Sequence, residues 1–303
     1  MIYSILITTK NRLDKLQYTL SQCEFLLKRK DTEFIICDDG STDGTFDYIQ
    51  SNFPSIELLR NNISKGLIYS RNRMLAFTTA KYAISLDDDS HFPSNNPLKI
   101  IESYFKSHPK CSVQAFRIFW GKEKPGNMDT SQKSHRVKGY VGCGHAWRMS
   151  AWNSIPDYPY WFIFYGEEEF ASYQLLKNGW QVHYVPEILV HHRVEVSSRK
   201  SQKDYGTRLR RSLRSGWYNY FLFLPWSQIP KRFFYTLYIQ FKLTVLKGDL
   251  RATIAIFKAL MDLILHLPKL ISNSNRLTKI EFKEFQNLEN TKVYWSPHNK
   301  IDA

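Results

Sequence analysis

Cysteine is scarce in this chain, with Cys23, Cys37, Cys111 and Cys143 scattered over 303 positions. No two stand at the short spacing of a zinc site or a disulfide framework, which excludes both as organising devices and favours a reducing compartment. Long hydrophobic runs are missing as well. The aromatic stretch 217–226 has ten residues, about half of what a helix needs to cross a bilayer. The opening Met-Ile-Tyr-Ser-Ile-Leu-Ile is too short for a secretory signal and lacks its basic lead-in and cleavage site, so it is expected to be a first strand. There is no internal repeat and no long low-complexity tract. A hydrophobic fraction of 43% is ample for one large domain or two smaller ones, and it excludes disorder as the main state.

Acidic charge is short in one region only. Residues 1–192 carry 22 Lys+Arg against 20 Asp+Glu, whereas 193–303 carry 20 against 8, so the last third holds +12 of the net +14. An excess placed in this way implies an anionic partner, acidic lipid or nucleic acid. A basic run occupies 193–214. From Trp217 the chain turns aromatic, with Trp217, Trp226, Phe233, Phe234 and Tyr235 set among Lys231 and Arg232, and 254–270 reads as amphipathic. Helices packed on a neighbouring domain satisfy the same pattern, but bases and rings together favour an interfacial position. An anionic membrane surface is therefore the expected partner, and nucleic acid is not.

The first 120 residues alternate short apolar β-branched runs with helical patterns, which predicts an α/β fold with a mainly parallel sheet. Strands are expected over 2–8, 33–37, 56–59, 82–86 and 112–119. Leu13, Leu16, Leu20, Cys23 and Leu27 recur at helical spacing, and Pro97 with Leu98, Ile101 and Phe105 opens another helix. A polar loop is expected over 120–136, mobile above a ligand site. An apolar stretch follows at 141–147, then a Pro/Tyr/Trp-rich loop at 156–165 and a helix over 167–178 that Gly179 ends. In open sheets of this kind ligands gather at the carboxyl ends of the strands.

Four groups of polar residues fall at such places. Asp38 and Asp39 follow an apolar strand and precede a Gly-containing turn, where they either shape the turn or accept hydrogen bonds from a base or ribose. Asp87, Asp88 and Asp89 crowd the end of another strand; an N-cap explains one of them, and a divalent cation would neutralise the set. Glu167, Glu168 and Glu169 open a helix, where acids complement the helix dipole or one of them serves as a general base. His191 and His192 end the apolar strand 188–190, and a neutral imidazole there can join carboxylates on a metal.

In this order and spacing the motifs resemble the inverting family 2 glycosyltransferases. The matching elements are Ile5-Leu6-Ile7-Thr8-Thr9-Lys10-Asn11-Arg12, the run from Asp38 to Thr45, Gly66 to Arg73, the Asp triplet, Gly166-Glu167-Glu168 and a terminal Val190-His191-His192, together covering about residues 2–192. The resemblance implies a GT-A fold for 1–192, with 193–303 as a helical extension. It also implies that Thr8, Thr9, Asn11, Arg12, Asp38, Asp39, Arg71, Asp87 and Asp88 bind the nucleotide-sugar. Asp87, Asp89, His192 and His191 are implied as ligands of Mn2+ or Mg2+, and Glu168, or its neighbour Glu167, as the base. Here the base is Glu where the family usually has Asp, and Phe170 stands where relatives often carry an acid.

The implied activity is inverting transfer of a hexosyl group from a nucleotide-diphospho-sugar, with UDP- and dTDP-sugars leading, to a glycan or lipid-linked acceptor in surface polysaccharide synthesis. It would take place on the cytoplasmic side of the inner membrane. Three other readings stay open. A sugar-1-phosphate nucleotidyltransferase shares the fold type, but no glycine-rich, lysine-bearing loop follows the first strand. A nucleic-acid-binding tail and a catalytically silent scaffold are the other two.

Overall fold

The computed structural model describes residues 1–94, 96–194 and 201–292. Parts of the predicted basic run (195–200) and of the predicted extension (293–303) lie outside the described residues. Strands β1 (Tyr3–Thr9), β2 (Thr32–Asp38), β3 (Glu57–Arg60), β4 (Tyr82–Asp87), β5 (Ser90–His91), β6 (Cys111–Trp120), β7 (His135–Val137), β8 (Gly144–Arg148) and β9 (Gln181–His192) form one sheet. Its order is β3-β2-β1-β4-β8-β6-β9-β5, with β7 beside β9. From β3 to β4 all strands are parallel, as the alternating pattern predicts. Beyond β4 the sheet is mixed, because β8 enters antiparallel between β4 and β6.

Helices α1 (Leu13–Gln22), α2 (Glu24–Leu27), α3 (Thr45–Asn52), α4 (Leu67–Phe77) and α5 (Pro97–Ser107) connect the parallel half. They cover both faces of the sheet, which is why β1, β2 and β4 are nearly continuous runs of buried residues. Pro97 sits in the first turn of α5, where its missing N–H breaks no helical bond, and Leu98, Ile101 and Phe105 are the buried stripe. The predicted loop before β7 is irregular and is tied down by Arg117, which donates to the carbonyls of Met128 and Asp129. After β8 come the short α6 (Met149–Trp152) and then α7 (Glu167–Lys177), which Gly179 ends at φ +74°. Strand β9 is longer than the expected 188–190. Its first half escapes a periodicity reading because Pro186 interrupts it, and the pairing with β6 slips there, from Phe116 with Val185 to Arg117 with Leu189.

The last third forms α8 (Tyr205–Phe223), α9 (Ile229–Leu243), α10 (Leu250–Ser272) and α11 (Lys279–Asn287). No described helix is long and apolar enough to cross a membrane. The reading of Trp217 as an interfacial anchor is corrected. Leu213, Trp217, Tyr218 and Leu222 form one buried stripe of α8, sharing a core with Phe162, Phe170 and Tyr173 and with Leu263 of α10. Phe233 belongs to that packing too, its ring 5.2 Å from Trp217. The exposed rings lie further on: Trp226, then Phe234, Tyr235, Tyr238 and Phe241 on α9, while Leu250, Ile254, Phe257, Met261, Ile264 and Leu265 line the outer face of α10. Asp262, the one acid in α9 and α10, points inward, held by Arg210 at 2.7 Å and Arg214 at 3.5 Å.

Candidate active site

Strands β1, β2 and β4 end together at Thr9, Asp38 and Asp87, so the sheet itself assembles the polar groups. Asp39 organises the loops around them. It accepts from Asn61 Nδ2 (2.7 Å), Ser64 Oγ (2.6 Å) and the N–H groups of Lys65 (2.8 Å) and Gly66 (3.0 Å). Its burial works against ionisation, but these donors outweigh it and keep the carboxyl below its ordinary value. Asp38 accepts from the Ser41 N–H at 3.1 Å, and its buried second oxygen accepts no hydrogen bond, with Arg60 Nε 3.8 Å away.

A cavity of about 550 Å3 opens over Thr8, Thr9, Arg12, Asp39, Asp87 and Asp88. Asn11 and Asp38 are not on its wall. Asn11 adopts φ +50° and ties its loop to the Asp-Gly turn through Ser41 Oγ (2.9 Å) and the Thr42 N–H (2.7 Å).

In the Asp triplet each residue has a different environment. Asp88 accepts from Thr9 Oγ1 and pairs with Arg12, both at 3.0 Å. Its burial, with Asp89 and Asp87 close by, still pushes its carboxyl up to about 7. Asp89 is buried too, but the hydrogen bond and charge of His192 and the guanidinium of Arg12 hold it well below the usual carboxylate range. His192 Nε2 stands 3.0 Å from Asp89 and 3.8 Å from Asp87. Burial alone would favour the neutral ring, yet Cys143, Asp89 and Asp87 raise it to about 11.

Asp87, Cys143 and His192 each offer a ligand atom within 4.8 Å of the others. The carboxylates of the half-buried Asp87 and the buried Asp89 beside the His192 imidazole fit a divalent cation. Cys143 escaped the sequence reading because a lone Cys between two glycines carries no spacing signal. His191 is not brought to this cluster. Successive strand residues face opposite ways, so its ring lies on the other side, with Nε2 2.8 Å from the Gly121 carbonyl.

Across the cleft, Gly166 at φ +87° starts α7, and a Cβ there would meet Ser215 at 2.8 Å. The three acids that follow point in different directions. Glu167 is buried and pairs with Arg71 at 2.7 Å. Its burial and the neighbouring Glu168 push its carboxyl up against the pull of that arginine. Glu169, partly buried, accepts from Tyr173 OH (3.0 Å) and Asn219 Nδ2 (3.2 Å), linking α7 to α8. Glu168 keeps an open face, with 24% of its side chain exposed and a 3.5 Å contact to Arg71.

Glu168 lines two cavities at once. One, of about 570 Å3, also holds Arg71, Asp87, Asp89 and His192. The other, of about 710 Å3, holds Lys138, Tyr165, Tyr173 and Arg232. Ile163 and Tyr165, just before the helix, have φ +69° and +71°, a strained backbone at the junction of the two. Gly142 was also missed from sequence: a Cβ there would meet both guanidinium nitrogens of Arg71 at 2.6 Å, and Glu168 as well.

Residues 4–158 match the family described as Glycosyl transferase family 2. Over 92 residues the chain is 35% identical to the Escherichia coli UDP-Glc:alpha-D-GlcNAc-diphosphoundecaprenol beta-1,3-glucosyltransferase WfaP, which takes in 30% of this chain and 36% of that protein. Over 81 residues it is 28% identical to the SPbeta prophage-derived glycosyltransferase SunS of Bacillus subtilis (strain 168), 27% of this chain and 19% of that one. The matches thus span little more than a third of these relatives at most. The mannosyltransferase PcManGT from Pyrobaculum calidifontis, solved with GDP-Man and Mn2+, shares the fold with a TM-score of 0.55 at 13% identity, over 94% of this chain and 83% of that one.

Proposed function

This chain belongs to glycosyl transferase family 2, and on that footing we propose that it transfers a sugar from a nucleotide-diphospho-sugar to an acceptor hydroxyl, inverting the anomeric carbon, with Glu168 as general base. The observation that carries the reading is the placement of Glu168 between two cavities, one walled by Asp87 and Asp89 and one by none of the Asp triplet. The donor would lie across the first and the adjoining cavity over Thr8, Thr9 and Asp39, and the acceptor would enter the second. Glu168 takes the proton of the acceptor hydroxyl, the freed oxygen attacks the anomeric carbon, and the bond to the diphosphate breaks with its electron pair on the leaving oxygen. Arg71, anchored by Glu167, stands behind Glu168 and orients it. Asp87, Asp89 and His192 would hold a Mn2+ or Mg2+, which would supply countercharge for the leaving nucleoside diphosphate.

The same reading places the enzyme at the cytoplasmic surface of a membrane, acting on a lipid-linked acceptor. Its support is the outer face of α9 and α10. That face carries Phe234, Tyr235, Tyr238, Phe257, Ile264 and Leu265 exposed among Lys231, Lys242, Lys258 and Lys269, while the only acid of either helix is buried. Rings and bases without acids suit an anionic headgroup layer. The relative WfaP, by its name, acts on a diphosphoundecaprenol-linked sugar.

The test is incubation with UDP-, dTDP- and GDP-sugars and a polyprenyl-diphosphate-linked acceptor sugar. Release of nucleoside diphosphate supports transfer. No release from any donor overturns it, and pyrophosphate release in a parallel incubation with nucleoside triphosphates and sugar-1-phosphates points to nucleotidyl transfer instead.

A further inference from the structure

Four arginines stand within seven positions of α8, a helix that lies outside the segment matching the family. Three have partners. Arg208 donates to Asp204 at 2.5 Å, Arg210 to Asp262 at 2.7 Å, and Arg214 to Asp262 and to the Phe162 carbonyl at 2.6 Å. Arg211 has no ion pair among the described residues. Partial burial and then the neighbouring Arg214 and Arg210 disfavour its charge, with Tyr165 and Asp204 acting the other way. An anion placed beside the guanidinium would favour its charged form.

The position of Arg211 says which anion. It lines the cavity of about 550 Å3 together with Thr8, Thr9, Asp39 and Lys65. Arg12, on the same wall, is already committed to Asp88 and Asp89. The planar fork of an arginine matches two phosphate oxygens. We propose that Arg211 binds the diphosphate of the nucleotide-sugar, so that the C-terminal helices take a direct part in donor recognition. Asp262 of α10 contributes by holding Arg210 and Arg214, the residues flanking Arg211, against α10. The proposal rests on the nucleotide-sugar reading above.

The experiment is calorimetric titration of the full chain, in Mn2+, with UDP, dTDP, GDP and their parent nucleosides. R211Q should lower affinity for the preferred diphosphate by about 10- to 100-fold, the range expected for a lost hydrogen bond to a charged group. The nucleoside should bind R211Q as it binds the wild type, showing an intact pocket, and R211K should recover part of the loss. Unchanged diphosphate affinity in R211Q, or an equal proportional loss for the nucleoside, overturns the assignment to Arg211 while leaving the donor reading in place. A wild type that binds none of the three diphosphates overturns the donor reading itself.

Discussion

Exchanging the two neighbouring glutamates for glutamine should separate catalysis from structure. Arg71 is buried and touches three acids, Glu167 at 2.7 Å, Asp87 at 3.2 Å and Glu168 at 3.5 Å. Glu168→Gln removes the longest of these contacts from a partly open side chain, so stability should change by less than about 1 kcal/mol. A positioned base is worth about 10²- to 10⁴-fold, and the amide cannot take a proton, so turnover should fall by that factor with nucleotide affinity intact. Glu167→Gln has the opposite profile. Removing one member of a buried ion pair costs about 3–5 kcal/mol; here the amide oxygen still accepts from Arg71 and two acids remain, so a cost near the lower end, about 3 kcal/mol, is expected. That variant should melt measurably earlier and retain more turnover than Glu168→Gln. The assay is initial-rate nucleoside diphosphate release alongside thermal melting and donor titration. A Glu168→Gln enzyme with near wild-type rates, or a dead Glu167→Gln enzyme of normal stability, would refute the division of labour.

Other substitutions probe the remaining parts. Asp89→Ala takes away the partner of both Arg12 and His192 and should cost at least about 100-fold in turnover, since metal stabilisation of a leaving group is worth several kcal/mol; chelator should mimic it, and full activity in metal-free buffer contradicts the site. Gly142→Ala drives a methyl against Arg71 and Glu168 and should cut activity while leaving the variant folded by circular dichroism; wild-type kinetics would show that the close approach is unimportant. Replacing Phe257, Ile264 and Leu265 by Ser, each more than 60% exposed, should leave the melting temperature unchanged. It should weaken sedimentation with anionic vesicles, each residue contributing up to about 1.5–3 kcal/mol if fully inserted, and high salt should weaken binding further through the bases. Equal sedimentation of variant and wild type assigns that face another partner.

The parallel half of the sheet was legible because β1, β2 and β4 are buried on both faces and so read as unbroken apolar runs ending in Thr9, Asp38 and Asp87. What escaped depends on contacts between distant residues. Nothing local marks β8 as antiparallel, and Arg71 meets Glu167 across 96 positions. Strand alternation implies that only one of His191 and His192 can face the cleft, but choosing between them needs the register of β9 against β6. Trp217 was misplaced for a different reason: a stripe of apolar residues on a helix has the same spacing whether it faces lipid or a protein core. The basic run raised a similar ambiguity, since a surplus of arginine does not show which of them an internal acid such as Asp262 will hold.

The central claim is a single displacement in which Glu168 frees the acceptor oxygen to attack the donor. Its most direct test is the anomeric configuration of the product formed from an α-linked nucleotide-sugar, read by nuclear magnetic resonance. A β-linked product, formed by the wild type and not by Glu168→Gln, is the predicted result. An α-linked product, or a β-linked one made equally well without the Glu168 carboxylate, would contradict it.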